Sequence, residues 1–322
     1  MVNISLVILA YNEEKFIKDV VSKYINYFDE VIVVNDNSRD ETKNIIQNLE
    51  KNYENLTLIN NTKNFGAGKS LEIGINHFLE SKNDYLIKID GDDQFSFHDV
   101  IFLKDLIQKE HFDFIKCDRF WHDGIIGKIP TIRYLGNSFA SFLIKFSTGS
   151  WSINDPLNGL FLFSKNILSD FKLPKLFYRY GYPFFVVTDS IKKSIVKDIK
   201  IGQFKNEIKY QNELSNLNPI VMFFKLIWYT LKNYYSKINL KIKISEFQIS
   251  ALLDIFSQVS FIFSIYSFYK IIIIRYFSYN GPQGIWFMVC LIFLFTAIYL
   301  ISLSQKIEKK VTKSKIIEIN RI

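Results

Sequence analysis

The chain of 322 residues is long enough for one large domain or two ordinary ones, and its 48% of apolar residues is normal for a protein with a sizeable core. Its net charge is +8, but no helix-turn-helix, zinc or RNA-binding signature accompanies the charge, so no nucleic-acid partner is expected. Cys117 and Cys290 are far apart, which argues against a cysteine metal site and indicates a reducing compartment.

The first 120 residues alternate short β-rich runs with amphipathic helical stretches. The predicted strands are, in chain order, ISLVILA, EVIVVND, LTLINN, YLIKID and FDFIKCD. Alternation at this interval predicts right-handed crossovers and an α/β fold with a mostly parallel, Rossmann-like sheet covered on both faces. The first run is too short for a signal peptide, and acidic residues follow it directly.

A polar cluster follows each of the first four predicted strands. The clusters are Tyr11 to Glu13, Asp36 to Asp40, Asn64 to Lys69, and Asp90 to Gln94. Each alone has an ordinary structural explanation as a helix cap or a turn. Ligands of such sheets bind beyond the carboxyl ends of the strands, so four clusters at one edge predict a ligand site.

The third cluster ends in a string that looks like a phosphate-binding P-loop, NNTKNFGAGKS. A Walker A loop requires G-x-x-x-x-G-K-S/T, because its first glycine lets backbone N–H groups wrap the phosphates. Lys63 stands at the position of that glycine. The sequence therefore excludes a Walker A site here.

The fourth cluster, IDGDDQF, places Asp90, Asp92 and Asp93 within four residues at a strand end. Carboxylates this close force one to keep its proton unless a cation is present. Oxygen ligands at this density suit Mg²⁺ or Mn²⁺ bridged to substrate phosphates. A solvated acidic turn is the alternative interpretation.

Two long apolar runs follow the α/β region. Residues 249–274 contain only Asp254 and Lys270 as charges, and residues 284–304 contain none. About 20 helical residues cover the hydrocarbon core of a bilayer, so each run is long enough to span it. A buried soluble helix is the alternative for the first run, because Asp254 and Gln258 are polar.

The two runs are joined by RYFSYNGPQ, whose Asn-Gly-Pro turn signal predicts a helical hairpin with both ends on one side. The flanking segments, KNYYSKINLKIK and QKIEKKVTKSK, are lysine-rich, whereas the turn has only Arg275. The N-terminal region and the tail are therefore expected to be cytoplasmic. The positive net charge is expected to attract anionic lipid headgroups.

The segments VILAYNEE, VVNDNSRDET, NFGAGKSLEIG and DGDDQ, in this order and spacing, resemble glycosyltransferase family 2 over roughly residues 4 to 217. The resemblance implies a GT-A fold and a nucleotide-sugar donor. By matching position, it implies that Tyr11 and Glu13 hold the nucleoside and that Asp36 bonds the base. Gly66 and Lys69 would line the donor site.

The resemblance further implies that Asp90 and Asp92 bind the metal and the diphosphate, Asp90 and Asp92 thus being catalytic. Gln94 would be a further metal ligand of the kind seen in the dolichol-phosphate mannose synthase branch. Asp93 is extra to the usual pattern, and its role is open. The Gln-x-x-Arg-Trp motif of processive synthases is absent, which speaks against a polymerising enzyme.

The acceptor half resembles the polyprenyl-phosphate branch. CDRFW and IPTIRYLGN place Arg119 and Arg133 where those enzymes have two acceptor-phosphate arginines, although a surface ion pair is the alternative for either. NDPLNGLFLF resembles the acceptor loop Asp-Pro-x-x-Gly-Phe, with Leu160 where Phe is usual. KYQNELSNLNP resembles a segment that precedes the membrane helices of related enzymes, and the apolar, lysine-containing stretch after it indicates an interfacial helix.

The predicted function is that of a metal-dependent inverting hexosyltransferase of the plasma membrane, transferring one sugar from a UDP- or GDP-sugar to a polyprenyl phosphate. The expected organisation is a GT-A catalytic domain over residues 1–217, interfacial helices over 218–248, a transmembrane hairpin over 249–304 and a basic cytoplasmic tail over 305–322. Membrane lipids are expected partners. The sugar, the nucleotide and a homo-oligomeric state stay open.

Two alternatives remain at this stage. The first is a transferase that acts on a sugar hydroxyl, which requires a general base; Asp155 in the acceptor loop is then the catalytic candidate. The second is a non-catalytic membrane protein that binds nucleotide-sugars as a sensor or scaffold. The intact metal motif argues against the second.

Overall fold

The computed structural model describes residues 2–119, 131–206, 218–276, 281–312 and 316–319. The chain forms two compact units. The first consists of Met1–Thr230 together with Ser314–Ile322, and the second of Leu231–Lys313.

The first unit contains an eight-stranded sheet and seven complete helices among its described residues. The strands are β1 (Ile4–Ala10), β2 (Glu30–Asn35), β3 (Leu56–Asn60), β4 (Tyr85–Asp90), β5 (Phe114–Asp118), β6 (Phe161–Ser164), β7 (Ile201–Lys205) and β8 (Ile316–Ile319). The helices are α1 (Ile17–Tyr24), α2 (Thr42–Glu50), α3 (Ala67–Glu80), α4 (Phe97–Lys109), α5 (Thr131–Thr148), α6 (Lys165–Leu168) and α7 (Tyr182–Lys193). A further helix, α8 (Pro219–Ile242), begins in this unit and ends in the second.

The strand order is β3-β2-β1-β4-β6-β5-β7-β8. All neighbouring strands are parallel except β6, which is antiparallel to both β4 and β5. The predicted α/β fold with a mostly parallel sheet is thus confirmed, and the five predicted strands are β1 to β5. The strand β6 is not among the predicted strands, because its four residues are too few to show a strand pattern.

The sheet is covered on both faces, which explains why every residue of β1 is buried. Successive side chains of a strand point to opposite faces. Accordingly Val7 and Leu9 belong to one hydrophobic cluster, with residues of α3, α5 and α7, whereas Leu6 and Ile8 belong to another, with residues of α1 and α4.

The candidate site lies where the winding direction of the sheet reverses. From β1 the chain moves outward through β2 to β3, and then returns to place β4 on the other side of β1. Ligands of open α/β sheets bind in the crevice at such a switch point. The backbone N–H of Gly91, just after β4, donates to the carbonyl of Leu9 in β1 at 2.9 Å, which brings the two loops together.

The region predicted as a basic tail contains β8, which extends the sheet beyond β7 with Ile201 opposite Ile316. Gly202 permits this pairing, since a Cβ there would lie 2.5 Å from Cδ1 of Ile319. The chain thus returns to the first unit after its last long helix.

The second unit consists mainly of two long helices, α9 (Gln248–Tyr276) and α10 (Gln283–Val311). By length and hydropathy, Ser245–Tyr276 and Gln283–Val311 can each cross a membrane. Buried serines of α9 face α10: the hydroxyl of Ser257 donates to the carbonyl of Ala297 at 3.0 Å, and that of Ser264 donates to the carbonyl of Cys290 at 3.1 Å. Small side chains and interhelical hydrogen bonds are typical of packed membrane helices.

Candidate active site

The loops after β1 and β2 are tied together by hydrogen bonds. The backbone N–H of Asn12 donates to Oγ of Ser38 at 2.9 Å, and that of Glu13 donates to Oγ1 of Thr42 at 2.7 Å. Tyr11, predicted to hold the nucleoside, is exposed at the sheet edge. The two loops therefore form one continuous surface at the predicted donor site.

Asp36 is buried at the end of β2 and organises the third loop. Its Oδ1 accepts hydrogen bonds from Nδ2 of Asn61 at 2.8 Å and from the backbone N–H of Phe65 at 2.9 Å, while Oδ2 accepts from the N–H of Gly66 at 2.7 Å. Gly66 has φ of 97°, a conformation that favours glycine. A carboxylate has about four acceptor sites, so Asp36 keeps roughly one for the predicted bond to the base.

The P-loop-like string packs against the segment before α7. Lys69 forms an ion pair with Glu72, whose other oxygen accepts from the N–H of Leu173 at 2.9 Å. The hydrogen bond to Glu72 raises the pKa of the Lys69 ammonium. A Cβ at Gly68 would lie 2.1 Å from the carbonyl oxygen of Phe177, so this glycine permits close packing. The contact of Lys69 with donor phosphate stays a prediction.

The three aspartates at the end of β4 and just after it have different partners. Asp90 accepts from Nζ of Lys88 at 2.7 Å, and Asp93, with φ of 55°, pairs with Lys23 of α1. Oδ1 of Asp92 accepts from the backbone N–H of Gln94 at 3.2 Å. Asp90 and Asp93 thus each have a lysine partner, so charge repulsion alone does not require a metal here.

Lys88 was not singled out in the sequence, yet it lies beneath the metal motif. Its side chain is fully buried, and Nζ lies 2.5 Å from the Tyr182 hydroxyl of α7 as well as 2.7 Å from Asp90. Burial lowers the pKa of this ammonium, but Asp90 and Tyr182 outweigh it and the pKa is raised. Burial and nearby Asp90 raise the pKa of Tyr182 to about 12. The sequence signal was a lysine inside an otherwise apolar strand, YLIKID.

Arg119 and Asp155 form a buried bidentate pair on the predicted acceptor side. Nε of Arg119 donates to Oδ2 of Asp155 and Nη2 to Oδ1, each at 2.7 Å, and the backbone N–H of Arg119 also donates to Oδ2. Although burial raises the pKa of Asp155, Arg119 outweighs that effect and the pKa is lowered. Nδ2 of Asn158 lies 3.3 Å from Oδ2 of Asp155 and also donates to Asn206 after β7, which fixes the loop.

The predicted acceptor loop passes close to Asp90 of the predicted metal motif. A Cβ at Gly159 would lie 3.0 Å from Oδ2 of Asp90 and 3.1 Å from Nζ of Lys88. The structure thus brings together Asp90 and the loop that carries Asp155. The backbone of Arg133 lies in the first turn of α5, but its side chain is outside the described residues, as are residues 120–130 and 207–217.

The family profile described as Glycosyl transferase family 2 matches residues 5–171, more than half of the chain. The chain belongs to glycosyltransferase family 2. It is therefore a glycosyltransferase, and the fold described above is the GT-A fold that the sequence predicted.

Among curated proteins, the glycosyltransferase is similar to "UDP-N-acetylglucosamine--dolichyl-phosphate N-acetylglucosaminyltransferase" of Methanococcus voltae, with 30% identity over 51% of this chain and 70% of the relative. It is also similar to "Dolichyl-phosphate beta-glucosyltransferase ALG5A" of Trichomonas vaginalis, with 32% identity over 28% of this chain and 31% of the relative. Among solved structures, S. aureus TarS 1-349 in complex with UDP aligns with a TM-score of 0.47 and 16% identity, over 73% of this chain and 65% of that one.

Backbone strain in the glycosyltransferase concentrates in these loops. In the part of the chain that the structure describes, the non-glycine residues with positive φ are Asn12, Asn37, Asp93 and Asp155. Left-handed backbone is costly for residues other than glycine, and it clusters at functional sites. Each of the four lies in a loop of the candidate donor or acceptor site.

Proposed function

We propose that this glycosyltransferase transfers one sugar, with inversion, from a UDP- or GDP-sugar to a polyprenyl phosphate at the cytoplasmic face of a membrane. The observation that carries the proposal is the ion pair of Asp155 with Arg119, which makes Asp155 a poor general base. The relatives from Methanococcus voltae and Trichomonas vaginalis, which are dolichyl-phosphate transferases by name, support the same class of acceptor.

A hydroxyl acceptor needs a general base, whereas a phosphate is already ionised at pH 7. Asp155 is a poor base, because both of its oxygens accept from Arg119, its side chain is fully buried and its pKa is lowered. An acceptor loop whose carboxylate is neutralised by an arginine therefore suits a phosphate better than a hydroxyl.

The donor set after β4 fits a divalent cation that is shared with the substrate. Asp90, Asp92 and Gln94 offer carboxylate and amide oxygens, which Mg²⁺ and Mn²⁺ accept. Among the described residues no three His, Cys, Asp or Glu side chains are grouped as a metal site, so the donor's phosphates would complete the ligand shell. When bound, the cation stabilises the charge that develops on the leaving diphosphate.

The membrane part of the proposal is supported by α9 and α10, which are long and apolar enough to span. In the first unit, the start of α8 exposes large apolar side chains, including those of Phe224 and Trp228. Lysines are interspersed with them in the sequence, as is typical of helices that lie in a membrane interface.

The test is a transfer assay with the purified full chain and Mn²⁺, in which a panel of UDP- and GDP-sugars is combined with undecaprenyl phosphate or with a lipid-linked sugar. We expect transfer to the plain phosphate, dependent on the metal. Transfer only to the lipid-linked sugar would establish the hydroxyl alternative. Nucleotide-sugar binding without turnover on either acceptor would establish the non-catalytic alternative.

A further inference from the structure

The strand β4 carries a charged residue where its neighbours are apolar. Alternation along the strand places Leu86, Lys88 and Asp90 on one face, and Leu86 belongs to the hydrophobic cluster beneath that face. The Lys88 side chain is fully buried. Removing an ammonium from water is expensive, and a buried ion pair usually adds little to stability compared with apolar residues of the same size. The pair therefore calls for an explanation other than stability.

The ammonium of Lys88 lies where three parts of the first unit meet. It contacts Asp90 at the end of β4 and the Tyr182 hydroxyl in the first turn of α7. The backbone at Gly159 closes the third side, since a Cβ there would lie 3.1 Å from Nζ and 3.6 Å from the Tyr182 hydroxyl. Asp90 consequently has one oxygen on Lys88 and the other near Gly159 of the predicted acceptor loop, while about a third of its side chain stays exposed to a ligand.

We propose that Lys88 is a positioning residue of the donor site, whose buried ammonium holds the Asp90 carboxylate in the single orientation that binds the metal–nucleotide complex. The inference rests on the proposed function, because it takes Asp90 to be part of the donor site. The Tyr182 hydroxyl is the second hydrogen-bond partner of this ammonium.

The experiment measures binding of UDP and of GDP, each with Mn²⁺, to the purified full chain by titration calorimetry. The variants are Lys88→Met, Asp90→Asn and the double variant. A hydrogen bond between charged groups corresponds to roughly a 10- to 150-fold change in an equilibrium constant. We expect Lys88→Met to weaken nucleotide binding by about tenfold or more, and to have no further effect in the Asp90→Asn background, because it acts through Asp90.

Lys116→Met is the matched control. Lys116 is also fully buried, lies in the neighbouring part of the sheet and stands two residues before an aspartate, as Lys88 does. Its ammonium contacts the carbonyl of Asn154 and lies 3.3 Å from Oε1 of Gln203. We expect Lys116→Met to disturb folding about as much as Lys88→Met while leaving nucleotide binding unchanged within about twofold.

The outcomes separate the inference from the proposed function. A wild-type chain that binds neither nucleotide would overturn both. Normal binding by wild type together with unchanged binding by Lys88→Met would overturn the inference alone. The inference also fails if Lys88→Met weakens binding equally in the Asp90→Asn background, or if Lys116→Met weakens it as much. If the Lys88→Met variant does not fold, the Tyr182→Phe variant tests the inference in its place. We expect its nucleotide binding to be weakened roughly 2- to 10-fold. Unchanged nucleotide binding by this variant would contradict the inference.

Discussion

Each carboxylate between Asp90 and Asp93 is held by a different part of the protein. Lys88 binds Asp90 from within the same strand, and Lys23 of α1 binds Asp93 from 70 residues away along the chain. The backbone of Gln94 binds Asp92. Asp93 thus pairs with a lysine of α1 from a left-handed backbone position, and we infer from this pairing that its role is structural.

The neighbouring aspartates allow a matched test of the metal site. We predict that Asp92→Asn abolishes transfer while the protein stays folded, because the substitution removes a metal-binding charge and keeps an oxygen that can accept from the Gln94 N–H. Asp93→Asn should retain metal-dependent transfer, since its carboxylate pairs with Lys23. The measurement is the transfer rate at saturating Mn²⁺, with thermal unfolding as the check on folding.

Unchanged metal-dependent turnover of Asp92→Asn would remove Asp92 from the site. Loss of transfer in Asp93→Asn, with folding intact, would instead show that the third carboxylate takes part in the chemistry.

The two predicted acceptor arginines should respond differently to substitution. We predict that Arg133→Ala raises the Michaelis constant for polyprenyl phosphate roughly 10- to 150-fold and leaves that for the donor unchanged, because one charge-assisted bond contributes about 1.5 to 3 kcal/mol. Arg119→Ala should also lower the unfolding temperature, since it leaves the buried Asp155 without its guanidinium partner. Lysine at position 119 should rescue only partly, because it keeps the charge but cannot bind both oxygens as a fork.

The measurements are the two Michaelis constants and the unfolding temperature of each variant. A rise in the donor constant with no change in the acceptor constant would assign these arginines to the donor site and would remove local support for a phosphate acceptor.

At the residue scale, the sequence could show which side chains carry oxygen or charge, but it could not show which of them neutralise each other. Asp90 and Asp155 were both visible as candidates. The partner of Asp155, Arg119, lies 36 residues away and had been assigned to the acceptor alone. Lys88 lies in a mostly apolar strand, and no motif in the sequence marks it as a site residue. Pairing of this kind depends on which strand ends are adjacent, and that information is not local.

At the element scale, the strands β1 to β5 were predictable because each is a compact apolar run bounded by polar loops. The antiparallel strand β6 and the strand β8 were not, because each has only four residues and gains its hydrogen bonds from strands distant in the sequence. Whether such a short segment forms a strand depends on its pairing with distant strands and not on its intrinsic propensity.

The second unit contains a cluster of buried charges that joins three helices. Nζ of Lys241, in α8, lies 2.5 Å from Oδ2 of Asp254 in α9 and 3.4 Å from Oε2 of Glu308 in α10. Lys237 pairs with the other oxygen of Glu308 at 2.6 Å. Asp254, the one acidic residue in the first apolar run, therefore has a lysine partner supplied by α8.

We predict that Lys241→Met destabilises the hairpin by about 3–5 kcal/mol, because it leaves a buried carboxylate without its cation. The double variant Lys241→Met with Asp254→Leu should lose less stability than the single one, since both members of the pair become apolar. Lys232→Met is the control, because Lys232 is exposed on the same helix. Thermal unfolding of the detergent-solubilised chain measures all three. A double variant that is less stable than the single one would show that the cluster does more than neutralise charge.

At the scale of the whole molecule, β8 constrains how the chain can cross a membrane if α9 and α10 span it as proposed. The chain leaves the sheet after β7, continues through α9 and α10, and returns to the same sheet as β8, where Phe204 pairs with Ile319. A strand that belongs to the sheet must be on the same side of the membrane as the rest of the sheet. The number of crossings between β7 and β8 is therefore even, as a hairpin of α9 and α10 requires.

We predict that the catalytic domain and β8 are both cytoplasmic and that the turn between α9 and α10 is outside. The even number of crossings comes from the β7–β8 pairing, and the orientation comes from the lysines that flank the hairpin, which favour the cytoplasmic side. The test introduces one cysteine at a time at the exposed positions Lys51, Gln283 and Lys310, in a chain whose Cys290 is replaced by serine and whose other native cysteine, Cys117, is buried. A membrane-impermeant maleimide should label Gln283→Cys in intact cells, and Lys51→Cys and Lys310→Cys only after permeabilisation.

Labelling of positions 51 and 310 from opposite sides would contradict the strand pairing itself. Labelling of both from outside would agree with the hairpin but would reverse its predicted orientation.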